Sequence, residues 1–137
     1  MAEKNTGKIT QITGVVIDVK FDKKVPGINS ALVVKSENPL TLEVASHLDA
    51  NTVRTIAMGP TEGLSRGLEV EDTENPISVP VGKETLGRMF DVLGNPIDGK
   101  PQVKNPKLRA IHQEAPEFKD QSVKTEILET GIKVIDL

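Results

Sequence analysis

Cysteine is absent from this 137-residue chain, which excludes a disulfide framework, a thiol nucleophile and a cysteine-ligated zinc site. Tryptophan and tyrosine are absent as well, and Phe21, Phe90 and Phe118 are the only aromatic residues. A core must therefore be built from valine, isoleucine and leucine, which favours strands in the valine-rich stretches. Long apolar runs are missing too: no run of roughly eighteen apolar residues occurs, as a membrane-spanning helix would require. The start, Met1 to Thr6, is polar and lacks the apolar stretch of a secretory signal. The expectation is a soluble chain without direct membrane insertion, reaching a membrane only through partners. Dense basic runs are also lacking. The net charge is −3 and the lysines and arginines are scattered, so nucleic acid is not an expected partner.

A further absence bears on chemistry. A phosphate-binding loop needs a contiguous GxxxxGK[ST] run, whose backbone amides cradle phosphate while the lysine and hydroxyl reach phosphate and magnesium. The Gly-Lys pairs of this chain are Gly7-Lys8, Gly82-Lys83 and Gly99-Lys100, and they continue with Ile9, Glu84 and Pro101. None can form that loop. His47 and His112 stand outside any short metal-ligand motif and read as structural or solvated residues. No GxSxG turn is present to expose a nucleophilic serine. Glu69, Glu71, Asp72 and Glu74 form an acidic cluster, but without cation-loop spacing they read as a solvated turn. No catalytic, cofactor-binding or metal-ligating residue is assigned anywhere in the chain.

What the chain does contain, up to residue 81, is short strands separated by turns. Val15, Ile17, Val19 and Phe21 alternate with Val16, Asp18 and Lys20 behind Gly14, which suits a bulge or sharp bend. Further strands are expected at 31–34 after the Pro26-Gly27 turn, at 40–45, at 53–58, at 67–71 and at 77–81. Pro76 and Pro80 confine the last of these to an edge or strand end. Short strands at a spacing of roughly 8–12 residues argue for a small closed β-barrel, with a two-layer sandwich as the alternative that periodicity alone does not separate.

The pattern changes at Gly82. Leu86, Met89, Phe90 and Leu93 fall at helical spacing and predict a helix over residues 83–93, ended by Gly94 in a left-handed conformation. Arg88 and Asp91 belong to the polar, solvated side of that helix. The proline-bearing stretch 99–117 reads as a linker or extended arm, poorly ordered from about Pro101 onward. Near the end, Thr130 can cap a helix carrying Ile132 and Ile135, and the chain stops inside it at Leu137 as though truncated. The expected domains are a barrel over 1–82, then a helix, a linker and the incomplete start of a second, α/β domain over 83–137.

Longer strings add a resemblance. Thr41-Leu42-Glu43-Val44-Ala45, Thr52-Val53-Arg54-Thr55-Ile56-Ala57-Met58, Glu62-Gly63-Leu64-Ser65-Arg66-Gly67 and Pro76-Ile77-Ser78-Val79-Pro80-Val81-Gly82 resemble consecutive blocks of the F-type ATP synthase beta subunit. So do the strings from Thr85 to Asp98 and from Ser122 to Leu137. The Leu86-Gly87-Arg88 to Asp98 block is similar across rotary and export ATPases and the alpha subunit. The Thr52 to Met58 string and Thr125-Glu126-Ile127-Leu128-Glu129-Thr130-Gly131-Ile132-Lys133 are similar to the beta subunit in particular. One departure is visible: Ile111-His112-Gln113 stands where the family commonly has Ile-His-Arg.

The resemblance implies a mainly β fold: a six-stranded barrel that joins its neighbours in the crown of an alternating hexamer, followed by the start of a P-loop nucleotide domain. It implies ATP synthesis from ADP and phosphate coupled to a proton gradient, with alpha subunits and a central-stalk subunit as partners. The implied location is the cytoplasmic face of the plasma membrane. ATP, ADP and magnesium are implied for the whole subunit, whose phosphate-binding lysine, magnesium ligands, general-base glutamate and adenine-stacking aromatics would lie beyond Leu137. The segment itself would serve hexamer assembly and be inactive alone. An oligonucleotide-binding barrel module is the reading from a different class, and it would need a basic groove with stacking aromatics that this acidic chain lacks. The equivalent alpha or export-ATPase segment is the reading within the family.

Overall fold

The computed structural model describes residues 4–136; Met1 to Glu3 of the polar start and Leu137 of the final string lie outside the described residues. Six strands close into an antiparallel barrel in the order β1-β2-β5-β4-β3-β6. They are β1 (Thr6–Thr13), β2 (Val16–Phe21), β3 (Ser30–Val34), β4 (Leu40–His47), β5 (Thr52–Ala57) and β6 (Glu69–Pro76). Closure comes from β6, which pairs with both β1 and β3. The alternation read at residues 15–21 is seen in β2, where Ile17, Val19 and Phe21 are fully buried. With Leu32, Val34, Leu42, Val44, Val53 and Val70 they fill the barrel. Each such burial contributes about 1.5–3 kcal/mol as an upper figure.

The barrel is the one expected, but its membership differs from the sequence reading. Strand β1 was not anticipated, because Thr6–Thr13 carries only Ile9 and Ile12 as large apolar residues. The stretch 77–81, expected in the barrel, instead forms β7 (Ser78–Val81) outside it and pairs with β8 (Lys107–Ala110). Pro76 and Pro80 lack the N–H groups that a continued ladder with β3 would use. Gly14 occupies the turn between β1 and β2, whereas the bulge lies in β1 between Ile9 and Gln11.

Of the three buried polar residues of the barrel wall, Thr55 and Asp18 sit there at little cost because each has a partner. Thr55 Oγ1 donates to the Ile17 carbonyl at 2.7 Å. Asp18 accepts a two-point contact from Arg54, Nε and Nη2 each at 2.9 Å, so a buried carboxylate on β2 is satisfied from β5.

Candidate functional surface

The expected helix over residues 83–93 does not form. A single 3-10 turn at Lys83–Thr85 ends at Leu86, whose backbone is extended, and Gly87 follows at φ +67°, so helical hydrogen bonding stops after one turn. Residues 89–97 then fold into a small hairpin: Ile97 N–H donates to the Met89 carbonyl at 3.0 Å and Asp91 N–H to the Asn95 carbonyl at 2.9 Å. The Asp91 carboxylate accepts from the amides of Leu93 and Asn95 at 2.9 and 2.7 Å, forming the turn. Hydrogen bonding, first from the Asn95 side chain, holds the Asp91 carboxyl below the usual carboxylate range. Gly94 is left-handed as expected, but at the hairpin tip. A Cβ there would come within 2.5 Å of Pro80 Cδ, so the tip lies directly against β7.

Arg88 is not a solvated residue either. Its Nε donates to Asp98 Oδ2 at 2.6 Å and its Nη2 to Asp98 Oδ1 at 3.2 Å and to the Pro101 carbonyl at 2.8 Å. The guanidinium also stands 5.6 Å from the centre of the Phe90 ring. Both partners are largely buried, and Arg88 drives the Asp98 carboxyl far below its ordinary range. The Leu86 to Asp98 block is thus a stapled loop.

The arm expected to be poorly ordered is fastened over residues 107–112. Strand β8 pairs residue for residue with β7, and Ile111 N–H donates to the Ile77 carbonyl at 3.0 Å. His112 Nε2 lies 2.9 Å from Glu43 Oε2 on β4, which ties the arm to the barrel wall. His47 has a structural role: its Nε2 donates to the Pro26 carbonyl at 2.8 Å.

The acidic cluster forms part of β6, not a turn, and its members are engaged. Glu71 pairs with Lys4, Glu69 with Lys35 at 2.5 Å and Glu74 with Lys24 at 3.0 Å. The contact with Lys4 lowers the Glu71 pKa. Buried Asp72 accepts from Asn5 Nδ2 at 3.0 Å and from the Glu74 amide at 2.8 Å. Among the described residues, no group of three or more histidines, aspartates and glutamates could hold a metal ion, and no helix is long and apolar enough to cross a membrane.

Apolar side chains stand exposed throughout the region after the barrel. Leu86, Met89, Val92 and Ile97 on the stapled loop and Leu108 on β8 are all exposed. Farther along, Phe118 and Ile127 keep about nine-tenths of their surface in solvent. At the end, Thr130 Oγ1 accepts from the Ile132 amide at 3.1 Å and donates to Asp136 Oδ1 at 2.7 Å, a turn that leads into the short helix α1 (Lys133–Asp136). What this surface offers is contact area.

Residues 9–74 match the family model described as ATP synthase alpha/beta family, beta-barrel domain. The matched span starts in β1 and ends in β6, the strands whose pairing closes the barrel. Over these strands the chain is similar to the beta-barrel domain of the ATP synthase alpha/beta family.

Proposed function

We propose that the chain is the N-terminal segment of the catalytic beta subunit of a proton-translocating F-type ATP synthase, and that its own task is assembly of the alternating alpha-beta ring. The observation that carries this reading is the closed barrel of that family followed by a stapled loop whose apolar side chains have no cover among the described residues. The beta assignment over alpha rests on the strings Thr52 to Met58 and Thr125 to Lys133. In this reading the barrel packs between alpha-subunit barrels as a rigid crown. Nucleotide and magnesium bind in sequence beyond Leu137, and the central-stalk subunit engages the ring below. The complex sits at the cytoplasmic face of the plasma membrane and carries this chain there as a peripheral component.

Assembly tests the assignment directly. Mixed with purified alpha subunits, the chain is expected to co-elute with them in size exclusion with light scattering, and not to co-elute with purified beta subunits. Binding to beta in preference to alpha assigns the segment to an alpha-type subunit, and binding to neither removes the ring reading. The isolated chain is expected to show no magnesium-dependent ATP hydrolysis above a matched blank.

A further inference from the structure

Several cations of the barrel are paired and three others are gathered in one groove. Lys4, Lys24, Lys35 and Arg54 each form an ion pair within the barrel. Lys8, Lys20 and Arg66 form none among the described residues, and all three line one groove of about 410 Å³ on the outer wall over β1 and β2. Lys8 and Lys20 are directly opposite in the β1–β2 register, an arrangement that destabilises a sheet when the charges are alike. Lys8 also faces Glu69 across β6, but that carboxylate is engaged by Lys35. The field of Lys20 reaches Asp49 only as the weakest of several effects on that carboxyl.

Arg66 is brought to the groove by the backbone. Gly67 N–H donates to the Ile9 carbonyl at 2.8 Å and Ile9 N–H to the Leu68 carbonyl at 3.0 Å, which pins the loop before β6 onto β1. A chain of net charge −3 therefore gathers in one place three cations that form no ion pair among the described residues, with Asp22 as the carboxylate in the lining.

We propose that this groove is a docking site for a short acidic segment of a partner protein, whose carboxylates supply the missing counter-charges. A polypeptide fits better than a nucleic acid. The lining has no aromatic side chain for base stacking, since Phe21 of the neighbouring strand is buried inside the barrel. Three cations are too few for a polyanion track. The aliphatic stems of the two lysines give apolar side chains of the partner segment a surface to rest on. The proposal stands on the barrel alone and holds whichever subunit of the family the chain represents.

The test uses the full chain and a fluorescently labelled synthetic 12-residue peptide of glutamate, leucine and glycine, with a glutamine-for-glutamate peptide and a single-stranded oligonucleotide of equal charge as comparisons. Anisotropy titrations are expected to show binding of the acidic peptide and none of the neutral one. Raising the salt from about 0.05 to about 0.2 M weakens binding severalfold, because exposed charges are screened within roughly 10 Å at the intermediate strength. The double variant K20Q/R66Q is expected to bind roughly tenfold more weakly. Its melting temperature stays at or above that of the parent, since one of two facing like charges is gone. Equal binding of the acidic and neutral peptides, binding unchanged in K20Q/R66Q, or tighter binding of the oligonucleotide each overturns the proposal.

Discussion

The barrel and the region after it are built from the same aliphatic residues and use them in opposite ways. Val19, Leu32, Leu42 and Val44 are withdrawn completely from water, whereas Leu86, Ile127, Leu128 and Val134 are left almost wholly in it. Composition does not separate the two regions; closure does. A strand that joins a ring of six has a second layer opposite it at once, while a loop stapled by Arg88 and Asp98 has a fixed shape and no layer to cover it. A fixed loop with uncovered apolar side chains is a surface already shaped for contact, which is why the assembly reading rests on it.

The sharpest way to break this contrast is to hollow out the barrel. Phe21→Ala removes the largest buried side chain and is expected to cost about 3–5 kcal/mol in urea unfolding followed by circular dichroism. A loss below about 1 kcal/mol would show that the interior is not packed as described.

A smaller effect sharpens the other side of the comparison. The folded-state pKa of Asp98 is depressed by Arg88, so the contribution of this pair is fully present above the ordinary value of 3.8 and is lost as pH falls below it. Amide exchange at Ile97 and Asp91, the hairpin reporters, should therefore accelerate as pH is lowered from 5 to about 3, after correction for intrinsic rates. Asp98→Asn should show fast exchange at pH 5 already, with less further change on acidification. Equal pH dependence in the two proteins would mean that the staple does not hold the hairpin.

The smallest effect is expected farthest from the barrel. Phe118→Ala deletes an aromatic ring as Phe21→Ala does, yet its effect on unfolding free energy should stay within about 0.5 kcal/mol, because the ring is nine-tenths exposed. A larger loss would reveal a covering surface for this segment.

The sequence carried the barrel where alternation was strong and misplaced it where polarity masked a strand. Strands β2 to β5 could be read from alternating or β-branched apolar residues. β1 could not, since half of its inward positions are small or polar, and β6 reads as an acidic cluster although Val70 and Asp72 point inward. The loop 83–98 was misread for a different reason. Leu86, Met89, Phe90 and Leu93 have helical spacing by coincidence, and the deciding information was Gly87 together with the tendency of Asp91 to bind its own following amides. The ties that position the surface pair residues far apart in sequence, such as Asp18 with Arg54 and Glu43 with His112. The basic groove was hidden likewise, because Lys8, Lys20 and Arg66 come from three separate segments and meet only once the barrel closes. The carboxylates were legible as non-catalytic, but their role as partners for Lys4, Lys24 and Lys35 was not.

The position of β1 also sets the order in which the molecule can be made. The strand leaves the ribosome first, yet its second neighbour in the ring is β6, whose pairing residues Glu69, Val70 and Glu71 are translated some sixty positions later. During synthesis the nascent chain holds an open, curling ribbon with both ends unpaired. The step that seals it waits on the most distant contact in the barrel, the kind that slows folding most.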